Sequence, residues 1–367
     1  MSSTENLEAR ICNDEEDKQA QQYAMQLVSS SVLPMALKAA NELGVLEIIH
    51  RAGSGALISP SQIASQLPNL TNPNAPLILD RILRLLASHS ILTCSLVTDH
   101  GHVVRLYGLA PVAKYFIKNN DGASLSPLLD FSHDKAITDM WYHWKPAILE
   151  GGLLFNRAHG MSTLEYLGKD ASFAAAFKNS MIDNYNVMFV EEMLKNYKGF
   201  QGLNSLVDVG GGNGSILHRI VSKYPGIKGT NFDLPQIIDM SPPYPGIEHV
   251  AGDMFKSVPK GDAIFMKWIL HTYDDEQCIE LLKNCYEALP GNGKVIAVDL
   301  VIPESPESNR AVQSVYQFDV FMTNINERGK ERTEKEFGNL AKGAGFSHVQ
   351  VACFAYSFSI VEFHKIM

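Results

Sequence analysis

The sequence is short of cysteine, of positive charge and of long apolar runs, and each shortage excludes a class of protein. Its 367 residues include five cysteines, which are Cys12, Cys94, Cys278, Cys285 and Cys353, with no close CxxC spacing. That distribution predicts free thiols in a reducing compartment, and neither a disulfide framework nor a zinc site. The formal net charge of −9 argues against a general binder of nucleic acid or of anionic membranes.

The N-terminal segment and the lack of a long apolar run bear on where the protein resides. Residues 1–22 are polar and acidic and have neither the basic start nor the apolar core of a signal peptide. We predict that they form a mobile tail. No stretch reaches the roughly 18 uncharged apolar residues that span a bilayer. We therefore expect a cytoplasmic protein with no membrane association.

Residues 23–123 have the pattern of a small, mainly helical domain. Tyr23–Ile49 is helical and apolar on several faces, which indicates burial in the intrachain core or in a subunit interface. Pro34 interrupts this segment and either starts a helix or kinks one. A Ser59 N-cap then opens a short helix, and Ala75–Ser90 predicts a longer one.

Two strand-like runs follow these helices and complete the pattern of a winged helix. They are Ile91–Val97 and Val103–Leu109, and they flank a hairpin signal. Winged helices can read DNA with a basic second helix. Here that helix carries Arg81 and Arg84 beside Asp80, and the segment is close to charge balance, which disfavours DNA binding.

Residues 124–367 predict a larger domain, helical through about Tyr197 and α/β thereafter. Short apolar runs alternate with helical stretches, which predicts an α/β fold with a mostly parallel, doubly wound sheet. The predicted strands are Ser205–Val209, Lys228–Phe232, Glu248–Ala251, Ala263–Lys267 and Lys294–Leu300, with a closing hairpin of Val349–Ala355 and Phe358–His364. The predicted helices between and after them are Ser215–Lys223, Leu234–Met240, Asp275–Ala288 and Glu334–Ala344.

A glycine-rich loop is the strongest local motif. Asp208, Gly210, Gly212 and Gly214 follow a strand signal and precede a helix. A dinucleotide fold would have a glycine where this chain has Ser215, so the spacing favours a nucleoside cofactor without pyrophosphate, of which S-adenosylmethionine is the example. A nicotinamide cofactor and a purely structural turn are the alternatives.

Acidic residues end the next two predicted strands. Asp233 lies about 20 residues beyond the glycines, where a carboxylate can accept hydrogen bonds from both ribose hydroxyls. Asp253 follows the third strand, where its carboxylate could take an adenine amino group while Met254 packs against the ring. A solvated loop charge is the alternative for either acid alone.

A histidine follows the fourth strand, at the edge where open α/β sheets place their sites. His271 ends the run that begins at Met266. A phenol is a weak nucleophile near neutral pH, and an imidazole suits removal of its proton during methyl transfer. Asp299, at the next strand end, and Glu331 are candidates to orient that imidazole. A structural histidine is the alternative.

These motifs together resemble one family. The chain is similar, over nearly its whole length, to plant S-adenosylmethionine-dependent O-methyltransferases of the caffeic acid O-methyltransferase type. The resemblance is carried by "LVDVGGGNG" from Leu206, "NFDLP" from Asn231, "GDMF" from Gly252, "MKWILH" from Met266, "LKNCYEALPGNGKVI" from Leu282 and "GKERTEKEF" from Gly329. Two further stretches look like the family's dimerisation domain, "AMQLVSSSVLPMALKAA" from Ala24 and "LDRILRLLASHSIL" from Leu79.

The resemblance implies a homodimer in which residues 23–123 form the dimerisation domain and residues 124–367 bind S-adenosylmethionine. It implies a small aromatic acceptor, and neither a metal nor a nucleic acid. The cofactor contacts that it implies are Gly210, Asp233, Asp253, Met254 and Lys267. It assigns the base to His271, flanked by Asp299 and Glu331.

Departures from the family pattern concern the acceptor. Lignin-pathway members typically read H-D-W-S-D-E where this chain has Thr272 and Tyr273 after His271, and a glutamate where it has Asp299. Asn184 stands in place of a usual histidine. Phe131-Ser132 replaces Met-Asn, and Glu327-Arg328 replaces Pro-Gly after Asn326. These changes argue against caffeate or a monolignol aldehyde as the main acceptor. The acceptor pocket that we predict draws on Phe131, Phe173, Phe177, Met181, Asn184, Trp268, Phe321 and Asn326, although core packing is the alternative for at least half of the aromatic residues.

A shorter acid beside the base also leaves N-methylation open. An aromatic amine already has a lone pair for attack and asks less of His271 than a phenol does. O-methylation of a phenolic is the favoured prediction, and N-methylation of an aromatic amine or N-heterocycle is the alternative. A winged-helix regulator and a nicotinamide oxidoreductase are the competing classes, and the intact glycine loop argues against the first.

Overall fold

The computed structural model describes residues 3–99, 101–322 and 329–365. The chain divides into two compact units, Met1–Lys135 and Ala136–Met367. The division therefore falls after Lys135, whereas the sequence pattern placed it after residue 123. The helix that contains Asp130 belongs to the first unit, where this carboxylate lies 3.8 Å from the Lys38 amine. Within the described ranges, no helix is both long enough and apolar enough to cross a membrane.

The first unit confirms the predicted order of helix, helix and hairpin. Ser59 caps the short helix, because its hydroxyl accepts a hydrogen bond from the Gln62 N–H while the Gln62 side chain accepts one from the Ser59 N–H. The hairpin strands pair antiparallel, with Leu92 opposite Leu109. The elements are α1 (Ser3–Val28), α2 (Val32–Glu42), α3 (Val45–Arg51), α4 (Pro60–Ala64), α5 (Ala75–Ser88), β1 (Leu92–Asp99), β2 (His102–Leu109), the 3₁₀ helix Pro111–Phe116 and α6 (Ser126–Ser132).

The N-terminal helix begins earlier than the sequence pattern indicates. We predicted a tail through residue 22, whereas α1 runs from Ser3 to Val28, and the mobility of this segment stays a prediction. The side chains from Glu15 to Val28 are exposed, so this helix carries no apolar pattern that would mark its start. Pro34 lies in the first turn of α2, which shows that it begins a helix rather than kinking one.

The second unit begins with a mainly helical stretch, as the sequence predicted. The helices are α7 (Lys135–Met140), α8 (Trp144–Glu150), α9 (Leu154–His159), α10 (Thr163–Lys169), α11 (Ala171–Phe177) and α12 (Asn186–Asn196), with a 3₁₀ turn at Trp141–His143 and a π-helix at Lys178–Tyr185. The π-helix was not predicted. Such segments are frequent at functional sites.

A seven-stranded sheet follows, in the order β10-β11-β7-β6-β3-β4-β5. Strands β3 to β7 pair parallel, and β11 pairs antiparallel with β7, so the closing hairpin joins the sheet edge. This confirms the doubly wound α/β fold. The elements are β3 (Ser205–Val209), α13 (Ser215–Lys223), β4 (Lys228–Asp233), α14 (Pro235–Ile238), β5 (Ile247–Ala251), β6 (Ala263–Lys267), the 3₁₀ turn Leu270–Thr272, α15 (Asp275–Ala288), β7 (Lys294–Asp299), β8 (Val301–Ile302), α16 (Arg310–Met322), β9 (Arg332–Thr333), α17 (Glu334–Ala344), β10 (His348–Ala355) and β11 (Phe358–His364).

A buried ionic group ties β11 to β7 at the amino end of β7. Glu362 accepts hydrogen bonds from the Lys294 amine at 2.5 Å, from the Tyr197 hydroxyl and from the Gln350 amide. Burial alone would raise the pKa of Glu362, but these donors outweigh it and hold that pKa at about 2.

We expect Glu362→Gln to destabilise the protein by about 3 kcal/mol at neutral pH, because the lowered pKa of this carboxylate stabilises the folded state. A carboxyl group with a depressed folded-state pKa stabilises the protein fully above its ordinary pKa of 4.5, and the contribution is lost as the pH falls toward about 2. Chemical denaturation at several pH values measures this. The wild type and the variant should converge in acid, and a constant difference across that range would contradict the assignment.

Candidate active site

The carboxyl ends of five neighbouring strands meet at one edge of the sheet. Gly210 follows β3, Asp233 ends β4, Asp253 follows β5, His271 follows β6 and Asp299 ends β7. Open α/β sheets bind ligands at this edge. The structure therefore brings the predicted cofactor loop and the predicted base to the same side of the sheet.

The glycine loop needs its glycines for two different reasons. Gly210 and Gly212 have φ values of +68° and +59°, which residues other than glycine rarely adopt. A Cβ on Gly210 would lie 2.4 Å from the Ile269 Cδ1 atom, whereas a Cβ on Gly212 would meet no atom within 4 Å. The loop is thus packed tightly on the sheet side and open beyond Gly212, a form that fits a small cofactor lying close to the backbone.

The Asp233 carboxylate is fixed by the backbone on both sides. One oxygen accepts a hydrogen bond from the Gly212 N–H at 2.9 Å and the other from the Leu234 N–H at 2.7 Å. Each carboxylate oxygen can accept a second hydrogen bond, so Asp233 remains able to accept from ribose hydroxyls. It also couples the second strand end to the glycine loop.

The third strand end places Asp253 and Met254 as the sequence predicted. An Asp253 oxygen accepts a hydrogen bond from the Phe255 N–H at 3.0 Å, while the side chain stays 38% exposed. Met254 is partly buried against the core of the sheet. The acid is held by its own turn and remains accessible, as a contact to an adenine amino group requires.

Asn231 and His249 form a hydrogen-bonded pair that holds the glycine loop, and the sequence did not predict this role for either residue. The Asn231 amide donates to the Gly212 carbonyl at 2.9 Å and lies 3.0 Å from His249 Nδ1. The other ring nitrogen of His249 lies 2.9 Å from the Pro242 carbonyl. These two contacts fit the tautomer that accepts at Nδ1 and donates at Nε2. The polar character of Asn231 within a buried strand was the available signal.

Two buried ionisable side chains, Asp208 and Lys267, lie near the same loop. Burial, together with the charge of Asp233, raises the pKa of the Asp208 carboxyl to about 8, and Lys267 opposes this rise. Burial lowers the pKa of the Lys267 amine well below its ordinary value. That amine donates a hydrogen bond to the Asn186 side chain at 2.9 Å. Lys267, predicted as a cofactor contact, is thus anchored to the start of α12.

His271 is buried and directly hydrogen-bonded to Glu331. Its Nδ1 lies 2.7 Å from a Glu331 oxygen and 3.9 Å from the nearer Asp299 oxygen. Burial lowers the pKa of His271, but the Glu331 hydrogen bond and the charge of Asp299 outweigh it, and the pKa is raised. A carboxylate on Nδ1 fixes the tautomer that carries its proton there, which leaves Nε2 as the basic nitrogen.

Asp299 behaves differently from Glu331. It is fully buried, and no side chain among the described residues makes a hydrogen bond to either of its carboxylate oxygens. Burial raises the pKa of this carboxyl to about 7, His271 opposes the rise and Glu331 adds to it. The His271 backbone N–H lies close enough to lower the pKa of this carboxyl, as the smallest of the contributions to it. Of the two candidate supporters, Glu331 is therefore the one in hydrogen-bonding contact with the imidazole.

The same three side chains are the one group of possible metal ligands among the described residues. Ligand atoms of His271, Asp299 and Glu331 all lie within 4.8 Å of one another. The sequence showed no such cluster, because the three residues are far apart along the chain. A metal-free site stays a prediction.

Trp268 has an unusual backbone conformation just before the base. Its φ is +59°, a strained value for a bulky residue, and its N–H donates to the Val298 carbonyl at 2.9 Å. The indole stacks on Tyr185 with a centroid distance of 5.4 Å and contacts Phe358 at 5.1 Å. This stacking ties the end of the π-helix to the strand end that precedes His271.

The remaining predicted acceptor residues lie on several elements, and their role in binding an acceptor stays a prediction. Phe177 ends α11, and Met181 and Asn184 lie on the π-helix, where the Asn184 amide donates to the Asn179 carbonyl at 2.9 Å. Phe173 is 3% exposed and packs with Phe155 and Tyr166, as core residues do. Phe321 contacts Trp141, Phe131 is buried in α6 of the first unit, and Asn326 lies outside the described residues.

Comparisons with known proteins show the family of the chain. Residues 141–347 match the O-methyltransferase domain, and residues 25–119 match the O-methyltransferase dimerisation domain. The caffeic acid 3-O-methyltransferase of Medicago sativa is 56% identical over 350 residues, which is 95% of each chain. That of Clarkia breweri is 53% identical over 370 residues, the full length of both chains.

Solved structures show the same fold. Human N-acetylserotonin methyltransferase in complex with S-adenosylmethionine has a TM-score of 0.74 at 20% identity, over 95% of this chain and 98% of that one. The mitomycin 7-O-methyltransferase MmcR has a TM-score of 0.68 at 22% identity, over 96% of this chain and 99% of that one. At such identities the likeness shows the fold alone.

Proposed function

Because the chain belongs to the S-adenosylmethionine-dependent O-methyltransferase family, we propose that it methylates a hydroxyl of a small plant phenolic and that His271 is the general base. The observation that carries this proposal is the 2.7 Å hydrogen bond between His271 Nδ1 and Glu331 at a parallel strand end. It leaves Nε2 of a buried imidazole free to take a proton. The relatives' names support oxygen as the methylated atom.

The chemistry of the proposed reaction requires little of the protein beyond binding, orientation and one proton transfer. When bound, S-adenosylmethionine supplies an electrophilic methyl group. His271 Nε2 removes the phenol proton as the oxygen attacks, and the imidazolium that results is stabilised by Glu331 on Nδ1. Asp299, 3.9 Å from Nδ1, adds a second negative charge in its ionised form.

The proposed cofactor residues are those that the loop geometry favours. The open face at Gly212 and the φ of Gly210 let the backbone approach a bound ligand. Asp233 would accept from the ribose hydroxyls, and Asp253 and Met254 would contact the adenine. Lys267 would contact the cofactor from the end of β6, where its amine donates a hydrogen bond to the Asn186 side chain.

The first unit supports a homodimer. It contains the segment that matches a dimerisation domain. Large apolar side chains on α1 and α2 are exposed in the single chain, among them Met25 at 66%, Leu27 at 54% and Val32 at 54%. Contiguous exposed apolar side chains of this kind mark protein–protein interfaces. We assign this surface to the second copy of the chain.

The acceptor is proposed to differ from caffeate. The departures at Thr272, Tyr273 and Asp299 change the neighbours of the base, and Tyr273 packs edge-on against Phe255 at 5.0 Å. The 3.9 Å gap at Asp299 is also the observation that favours the second candidate, an aromatic amine, because such an acceptor asks less of the base.

A turnover screen with paired phenol and aniline analogues of one aromatic scaffold tests the proposal, with caffeate included. We expect methylation of the phenol members, with at least one accepted better than caffeate. Turnover confined to the anilines would replace oxygen by nitrogen as the methylated atom. Binding of NADH with no binding of S-adenosylhomocysteine would overturn the whole assignment.

Asp299→Glu tests the effect of the shorter acid. A glutamate adds one methylene, which can bring the second carboxylate closer than 3.9 Å to Nδ1. The single Nδ1 proton is donated to Glu331, so the longer acid acts through its charge, which stabilises the imidazolium. We expect kcat for ordinary catechols to rise by up to about tenfold, which corresponds to roughly 1.4 kcal/mol of added stabilisation of the imidazolium. Asp299→Asn is the matched control and should not raise it. No gain with glutamate would show that the pocket, rather than the support of the base, limits these acceptors.

A further inference from the structure

His271 lies in a short turn that makes few backbone hydrogen bonds of its own. The 3₁₀ turn Leu270–Thr272 joins β6 to α15 and contains three residues. Its own backbone hydrogen bonds are long, at 3.1 Å from the Thr272 N–H to the Ile269 carbonyl and 3.3 Å from the Tyr273 N–H to the Leu270 carbonyl, and 3₁₀ hydrogen bonds have poor geometry. The Cys278 thiol adds weak contacts to the Leu270 and Tyr273 carbonyls at 3.2 Å and 3.6 Å. The position of the His271 backbone therefore depends on groups outside the turn.

The Arg332 side chain makes short hydrogen bonds to the backbone carbonyls of this turn from outside it. Its guanidinium donates to the Leu270 carbonyl at 2.7 Å and to the Tyr273 carbonyl at 2.8 Å, one residue before His271 and two after it. Two further hydrogen bonds, at 2.9 Å and 2.8 Å, bind the same Asp275 oxygen. The residue is 1% exposed, so its guanidinium makes these hydrogen bonds away from water.

The neighbouring residue holds the ring of the same histidine. Glu331 binds His271 Nδ1, and its own N–H donates to Asp319 at 3.0 Å. Arg332 opens β9, which pairs with β8 directly after Asp299. Two consecutive residues of one segment thus fix the imidazole and the backbone that carries it.

We propose that Arg332 is a positioning residue for the reaction: it bridges both ends of the turn that carries His271 and so sets where the basic nitrogen lies. The inference rests on the proposed role of His271 as the base. A planar guanidinium suits the task, because it reaches two carbonyls and a carboxylate at once with fixed angles, which a lysine amine cannot do.

The central experiment is a double-mutant cycle of Arg332→Gln with His271→Ala. We expect Arg332→Gln alone to lower kcat by at least about tenfold, because small misplacements of a catalytic group are costly. The dissociation constant for S-adenosylhomocysteine should change by less than about threefold, since the proposed cofactor residues other than Lys267 lie on other strand ends. In the His271→Ala background the same substitution should cause no further loss.

Two more variants test the proposal if Arg332→Gln folds poorly. Arg332→Lys should recover part of the lost kcat, and Asp275→Asn, which weakens the charged partner at a half-exposed position, should lower kcat less than Arg332→Gln does. Glu362→Gln is the control, because it breaks a buried ion pair at the amino end of β7. It should lower stability with kcat retained.

Three results would overturn the proposal. They are an unchanged kcat in Arg332→Gln, a full additional loss in the His271→Ala background, and a kcat loss in Glu362→Gln equal to that in Arg332→Gln. If His271→Ala alone keeps wild-type turnover, the proposed base is wrong. That outcome is read from the single variant, so it is distinguishable from a failure of Arg332 in the cycle.

Discussion

Replacing His271 with alanine should lower kcat for a phenolic acceptor by about 10²–10⁴-fold, the usual contribution of a positioned general base. The reason is geometric. Nδ1 is engaged by Glu331 at 2.7 Å, so the variant loses the one basic nitrogen that this arrangement directs toward an acceptor. Single-turnover measurements with the accepted phenol give the rate, and calorimetry with S-adenosylhomocysteine gives the cofactor affinity, which should be nearly unchanged.

A matched control is His159→Ala. That histidine is also partly buried, with a ring nitrogen 2.8 Å from the Ala136 carbonyl, and no catalytic role is assigned to it. It should retain turnover. Two results would contradict the proposed role of His271: unchanged phenol methylation in its alanine variant, or a loss of S-adenosylhomocysteine affinity as large as the loss of rate.

Glu331→Gln should separate the charge that supports the base from the base itself. Glu331 contributes to the raised pKa of His271, and the base acts in its neutral form. Wild-type turnover should therefore rise with pH as His271 loses its proton. In the variant the pKa of His271 falls, so that rise should move to lower pH, while the maximal rate drops because the imidazolium loses its counter-charge. A profile that does not move would contradict the coupling.

The fold was predictable wherever burial imposes a pattern on the sequence. β3, β6 and α15 begin and end at the predicted residues, because each is an apolar run or stripe bounded by clear stop signals. The two-residue strands β8 and β9 are too short to carry a periodicity, and α16 was missed as well. The helix that starts at Ser3 has exposed side chains where they are described and gives no apolar signal.

The site was predictable as a set of strand ends but not as a set of distances. Motifs placed Gly210, Asp233 and His271 correctly at the carboxyl edge, because topology alone brings parallel strand ends together. Nδ1 lies 2.7 Å from Glu331 and 3.9 Å from Asp299. This difference of about 1 Å decides which acid contacts the imidazole, and it is set by side-chain packing that the sequence does not reveal. Arg332 meets the turn from 62 residues away, and no local pattern marks that contact.

Asp233 offers the second large effect, on binding rather than on rate. Its carboxylate accepts from Gly212 and Leu234 and points from the end of β4, next to the loop. We expect Asp233→Ala to weaken S-adenosylhomocysteine binding by about 10- to 150-fold, since hydrogen bonds to a charged group are worth about 1.5–3 kcal/mol. Isothermal titration calorimetry measures the change.

The control for Asp233 is an aspartate that also accepts backbone hydrogen bonds but lies at the opposite end of the sheet. Asp262 accepts from the N–H groups of Asn204 and Ser205, at the start of β3. Asp262→Ala should lower stability and leave the affinity for S-adenosylhomocysteine within about twofold, because the two sites are far apart and share no partner. Equal losses of affinity in both variants would show that Asp233 acts through general stability. A loss confined to Asp233 would place the ribose at the end of β4.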